Sequence, residues 1–221
     1  GRAATNDDVE VYQAYIEANE MWGMPLRARI GRQEMTFGSG WLVGTNDANS
    51  LFTGLSFDGI RLTYATDMFS VDAVWSKLFE AGNAEQDGDV DLYGLYGSYL
   101  GLEDITIDAY WLWVRDGRAI NDTQLGWWGE WWEELFGQDD YDVTNMHTFG
   151  LRGAGTVGAI DFEAEFAYQW GDSGQVGQNF NKYSWLWLGP WPYGDDESDY
   201  DRWAANLEVG YTFDIAWTPR V

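Results

Sequence analysis

The amino-acid sequence predicts an all-β chain, an antiparallel transmembrane β-barrel. Three observations carry that reading: apolar and polar residues alternate with a period of two, short and long connections take turns, and aromatic residues abound. Trp 15, Tyr 13 and Phe 11 make up 18% of the 221 residues, with Gly 27 and Pro only 4. A Trp ring needs apolar surroundings and a polar partner for its N–H. The membrane–water interface supplies both, and aromatic girdles mark the rims of outer-membrane barrels.

The period is clearest toward the end of the chain. Ile160, Phe162, Ala164, Phe166, Tyr168 and Trp170 alternate with Asp161, Glu163, Glu165, Ala167 and Gln169. Trp203, Ala205, Leu207, Val209, Tyr211 and Phe213 alternate in the same way with Ala204, Asn206, Glu208, Gly210, Thr212 and Asp214. Each stretch has one oily face and one wet face, the signature of a strand between two unlike environments.

The same rule predicts strands near 9–19 and 26–37, joined by Glu20 to Pro25. It predicts a second pair near 57–65 and 69–78, joined by Thr66 to Met68, and a third near 90–101 and 105–114, joined by Leu102 to Asp104. The last three are near 146–157, 159–170 and 203–214, with Gly158 between the first two. Each is close to the roughly 9–11 residues that a tilted strand needs to cross a bilayer. The intervening segments 38–56, 79–89, 115–145 and 171–202 are long. Short turns on one side and long loops on the other are the periplasmic and extracellular sides of an outer-membrane barrel. In that frame the chain enters from the extracellular side, and residues 1–221 form one barrel domain. Nine strands is an odd number where bacterial single-chain barrels have even counts. Further strands are therefore expected before residue 1, after Val221, or both, and the opening Gly1-Arg2-Ala3-Ala4 reads as a mature or partial chain.

Composition excludes several classes. Cys 0 removes disulfides, thiol nucleophiles and Cys-based metal sites, and no apolar run reaches the length of a transmembrane helix. Asp+Glu 37 against Lys+Arg 12 gives a formal charge of −25, which disfavours nucleic acid as a partner. His147 is the only histidine, so neither a His cluster for metal nor a serine triad can be assembled within this chain, and His147 reads as a strand-start residue. No catalytic residue and no cofactor is called for.

The ordered segments resemble the alginate-export family of outer-membrane porins. The stretches that carry the resemblance begin with Val11 to Ile16, Leu26 to Glu34 with Phe37-Gly38, and Ser56 to Leu62. They continue with His147 to Arg152, Asp161 to Glu165, and Gly210 to Phe213 with Pro219-Arg220. The resemblance implies an 18-stranded barrel with a basic, charge-lined lumen that lets an anionic polysaccharide leave the cell. The wet faces of this sequence instead carry Glu17, Asp72, Asp108, Asp161, Glu163, Glu165 and Glu208 beside Arg61 and Arg152. The expected function is an outer-membrane channel for polysaccharide or small hydrophilic solutes, in contact with outer-membrane lipid. The alternative is a structural or interaction barrel whose loops mediate assembly or glycan binding. A soluble carbohydrate-binding sandwich is a third class, disfavoured because Ile160, Phe162, Phe166, Tyr168 and Trp170 on one strand need lipid or a second sheet.

The candidate pore-lining residues are Arg29, Arg32, Glu34, Arg61, Asp108, Arg152, Asp161, Glu163, Glu165 and Glu208. If Arg27, Arg29 and Gln33 face the lumen, strict alternation sends Arg32 and Glu34 toward lipid, where a mid-bilayer Arg costs roughly 2–4 kcal/mol. A β-bulge at Gly31 would turn Arg32 inward; a position at the rim is the alternative. Arg32, Glu34, Arg61 and Arg152 then either form a charged constriction or brace the wall as paired charges. In the loops, Trp127, Trp128, Trp131, Trp132, Trp185, Trp187 and Trp191 are candidates for stacking on sugar, docking a protein partner, or packing on each other as a plug or rim. Asp195, Asp196, Glu197 and Asp199 are carboxylates that a Ca²⁺ could use, but they lack the spacing and Gly of an EF-hand loop and read first as a solvated run.

Overall fold

Alternation of this kind can form a sheet only if each strand finds a neighbour in a register that keeps like faces together. The computed structural model describes residues 11–45, 55–80, 89–117, 143–173 and 198–213, and in it the described strands form one nine-stranded antiparallel sheet in chain order. The strands are β1 (Ala14–Ala18), β2 (Leu26–Gln33), β3 (Phe57–Ala65), β4 (Phe69–Phe79) and β5 (Val90–Leu102). They continue with β6 (Ile105–Asp116), β7 (Thr144–Val157), β8 (Ile160–Ser173) and β9 (Ser198–Tyr211). A 3-10 turn, Met21–Gly23, links β1 to β2. No helix among the described residues is long and apolar enough to cross a membrane. β1 and β9 are the two edges of this sheet, and closure is not a feature of it.

Eight of the nine predicted strands differ from the observed ones at their ends, and β3 coincides at both ends. β1 begins only at Ala14, and β9 begins at Ser198, earlier than the alternation indicated. β2 stops at Gln33, although the apolar alternation continues through Met35 and Phe37. The register runs unbroken through Gly31, which pairs with Tyr15 on one side and Gly59 on the other, so the β-bulge expected there is absent.

The two faces of the sheet are unlike, and their burial is inverted relative to a soluble protein. The polar face is sheltered, with Asp108 2% and Glu165 5% exposed, while Leu207 and Trp203 on the apolar face are 71% and 70% exposed. A globular domain buries its apolar side chains and solvates its charges. This sheet does the reverse.

One apolar cluster does lie on the polar face. Val74, Leu92, Tyr96, Tyr110 and Leu112 project there from β4, β5 and β6, and Met35 and Phe37 cover them, with Val43 and Phe57 packed alongside. The covering segment follows β2. It turns through a Gly40 N–H to Phe37 C=O bond of 2.9 Å and is held by a Phe37 N–H to Val43 C=O bond of 3.0 Å. Residues 34–44 therefore fold over the sheet from the first long connection. Burying Met35 and Phe37 contributes about 1.5–3 kcal/mol each.

Candidate functional site

The polar face is a field of paired charges, and strand register explains each pair. On β1 and β2, Glu17 and Arg29 are directly opposite, and the Arg29 guanidinium lies 2.5 Å from the Glu17 carboxylate. Thr63 on β3 is opposite Asp72 on β4 and donates its hydroxyl to it. Arg61 reaches the same carboxylate diagonally with two bonds, of 2.8 and 2.9 Å. Arg27 completes that group by donating to the Thr63 hydroxyl at 3.2 Å.

A second group is centred on Arg152. It faces Asp108 across β6 and Glu165 across β8. Its Nη1 donates to Asp108 at 2.6 Å, and its Nε and Nη2 grip Glu163 at 3.1 and 3.0 Å. Glu165 is held by the Tyr110 hydroxyl at 2.7 Å. Two-point Arg–carboxylate contacts fix geometry as well as charge. Buried polar atoms without a protein partner also sit on this face, including Gln33 Oε1, Thr144 Oγ1 and Glu165 Oε2. Such atoms cost about 1–3 kcal/mol each unless water reaches them, so the face suits a hydrated space.

The segment 34–44 ties the two groups together. Phe37 stacks on Tyr96 with centroids 4.9 Å apart, and Tyr96 stacks on Tyr110 at 5.6 Å. The Arg61 guanidinium sits over the Phe37 ring at 5.6 Å, within cation–π range. Gly38, with φ +56°, presses so close that a Cβ there would lie 2.8 Å from Arg152 Cδ. The first long connection thus rests on the charged face rather than standing clear of it.

Of the residues expected to line a pore, Arg29, Arg61, Asp108, Arg152, Asp161, Glu163, Glu165 and Glu208 share the polar face. Arg32 does not. It lies opposite Asp58 on the apolar face and binds it with two bonds, of 2.8 and 2.7 Å. The expected inward turn of Arg32 is corrected: it stays on the apolar face, paired with Asp58. Glu34 lies beyond the end of β2 and accepts a hydrogen bond from the Tyr12 hydroxyl. The loop aromatics Trp127, Trp128, Trp131, Trp132, Trp185, Trp187 and Trp191 and the acidic residues Asp195, Asp196 and Glu197 lie outside the described residues. Asp199 is described only as a backbone partner of Asp172.

Sequence reading missed the covering segment. The signal was present: Val74, Leu92, Tyr96, Tyr110 and Leu112 are apolar residues at wet-face positions of three adjacent strands, and such a patch needs a cover. It also missed how the apolar face is ordered. Trp75, Tyr93, Trp113, His147 and Trp170 stand opposite one another in a row across β4 to β8. His147 is stacked between Trp113 and Trp170, at 5.7 and 5.4 Å, which gives it a structural place on the apolar face. No group of three or more His, Cys, Asp or Glu among the described residues is arranged to hold a metal ion.

Gly150 is directly opposite Tyr110, and a Cβ at Gly150 would fall 2.0 Å from the phenol ring. Gly150→Val is therefore expected to displace the Tyr110 ring and to break its bond to Glu165. Overpacking of this kind costs about 1–3 kcal/mol, and the orphaned carboxylate adds to it. The check is the denaturant midpoint of the refolded variant, with Gly153→Val as the comparison, since a Cβ at Gly153 meets nothing within 4 Å.

The family model described as alginate export matches residues 1–221. No curated protein matches the chain.

Proposed function

From the premise that this chain belongs to the alginate export family, we propose that it forms part of an outer-membrane channel through which polysaccharide or small hydrophilic solutes pass. The observation that carries the reading is the inside-out sheet. A largely apolar face is exposed, and the face that carries the paired charges is sheltered at Asp72, Asp108 and Glu165, which suits lipid on one side and a hydrated lumen on the other. The nine strands then form one arc of a closed barrel of the size the resemblance implies. The segment 34–44 narrows the lumen, and the strand ends at Phe79, Asp116 and Ser173 lie toward the extracellular side. The work is passage and needs no cofactor.

The charges on the polar face bear on what passes. Arg27, Arg29 and Arg61 on β2 and β3 are nearly matched by Glu17 on β1 and Asp72 on β4, whereas Arg152 and Arg202 on β7 and β9 are outnumbered by Asp108, Asp116, Asp161, Glu163, Glu165 and Glu208 on β6, β8 and β9. A lumen lined so is close to neutral on one side and acidic on the other, and rings of carboxylates favour cations. Cations and neutral sugars suit the acidic arc better than a polyuronate does. Full-length protein in a planar bilayer is expected to show steady, ohmic single-channel steps. A barrel that serves only as a scaffold, with its lumen plugged, would show no steady open state and would favour the assembly reading.

A further inference from the structure

The apolar face ends, next to the long connections, in a row of charge. Read across the sheet from β2 to β6, directly opposite residues are Arg32, Asp58, Lys77, Asp91 and Arg115. The signs alternate at every step, and each step is about 4.8 Å, the spacing of neighbouring strands. Three of the chain's Lys+Arg 12 therefore stand in one row, on a face that is otherwise oily. The next row, two residues along each strand, is Ile30, Ile60, Trp75, Tyr93 and Trp113.

Aromatic rows mark headgroup height on a membrane barrel, so a row just beyond them meets headgroups rather than acyl chains. We propose that this ladder binds the phosphate groups of a phosphorylated glycolipid of the outer leaflet, with a divalent cation bridging its exposed carboxylate, Asp58, to the same phosphates. The proposal rests on the membrane reading above. An outer-leaflet glycolipid bearing phosphate and divalent cations presents alternating charge, and the ladder presents its complement. Arg matches phosphate oxygens with two parallel donors, and carboxylates take hard cations such as Ca²⁺ or Mg²⁺.

The pair at the β2 end of the row does not block such a partner. Arg32 binds Asp58 with side chains 42% and 55% exposed, and an exposed pair holds only weakly, so a phosphate can share or replace that carboxylate at little cost. Lys77 is held more firmly, by Asp89 at the foot of the next connection, in a pair 29% and 25% exposed. Trp75 donates its indole N–H to Asp91 at 3.2 Å, and that carboxylate is buried, so it braces the row from within.

The test uses the full chain, inserted into phosphatidylcholine vesicles with or without lipopolysaccharide and then extracted in detergent. Retained glycolipid is counted by native mass spectrometry, and folding is followed by heat-modifiable gel migration. The wild type should retain lipopolysaccharide in Ca²⁺ and lose most of it to a chelator. Arg32→Gln, Lys77→Gln and Arg115→Gln together should retain about tenfold less, the scale of lost charge-assisted bonds. Arg27→Gln, a cation on the other face, should retain as much as the wild type. Asp58→Asn should bind but no longer respond to the chelator; this variant and the chelated wild type decide the matter if the triple variant does not fold. Equal retention by a folded triple variant, or retention that ignores both the chelator and the Asp58 change, overturns the proposal, and so does displacement by inorganic phosphate alone. If the wild type stays in buffer without detergent, the membrane reading itself falls; if it needs detergent while retention is unchanged by the variants, only the ladder does.

Discussion

Arg152→Met is expected to lower stability by about 3–5 kcal/mol, the cost of breaking a buried ion pair from one side. Arg152 and Asp108 have side chains only 13% and 2% exposed, so little solvent is available to screen what is left behind. The substitution strands Asp108 and Glu163 together, with Glu165 directly across from the vacated position and Glu208 directly across from Glu163. Like charges facing one another across strands are destabilising in themselves. It also removes the side chain on which Gly38 rests, loosening the covering segment. Urea unfolding of the refolded protein in micelles reads the effect. Adding Asp108→Asn and Glu163→Gln to Arg152→Met should recover most of the loss, because the buried charges go with their partner. A change below about 1 kcal/mol in the single variant would be the value of an exposed pair and would place Arg152 in open water.

Neutralising Asp161, Glu163 and Glu165 to Asn, Gln and Gln is expected to give the largest change in ion selectivity. The polar face of the described strands carries Arg27, Arg29, Arg61, Arg152 and Arg202 against Glu17, Asp72, Asp108, Asp116, Asp161, Glu163, Glu165 and Glu208. Removing three carboxylates from β8 brings cations and carboxylates on this face to equal numbers and frees part of the Arg152 charge. One unit charge about 7 Å away in water is worth roughly 0.6 kcal/mol, about threefold in the occupancy of either ion and, since cation and anion shift oppositely, about sevenfold in their ratio. Reversal potentials across a salt gradient should move toward zero by that order for each charge, most strongly at low ionic strength, where the screening length exceeds about 8 Å. A wild-type pore that already prefers anions would mean that basic surfaces outside these strands dominate the lumen, and would favour an anionic polysaccharide as its cargo.

Much of this fold is legible in the sequence because its driving pattern is local. On β8, Ile160 to Trp170 alternate without interruption, so the strand and its two faces follow directly from the residues. The ends are less legible, since Ser198 to Asp201 read as part of an acidic run but pair with β8 from Ser173 to Trp170. Pairings between distant residues are not local at all. Arg32 looked misplaced on an oily face because its answer, Asp58, is 26 residues away and appears only once the register is fixed. The covering segment was hidden for a related reason. Met35 and Phe37 keep the alternation of Gln33 going after the strand has ended, and the ring that receives Phe37 is Tyr96 on β5.

The most direct test of the inside-out sheet is the accessibility of spin labels placed one at a time along β8 of the full-length protein in lipid. Labels at Phe162 and Phe166, which face Val209 and Ala205 on the apolar side, should relax with oxygen and be shielded from aqueous nickel complexes. Labels at Asp161 and Ala167 on the polar face should show the reverse, giving an oscillation with a period of two. Aqueous exposure at 162 and 166 with oxygen access at 161 and 167, or no alternation at all, would contradict a charged lumen and a lipid-facing apolar surface.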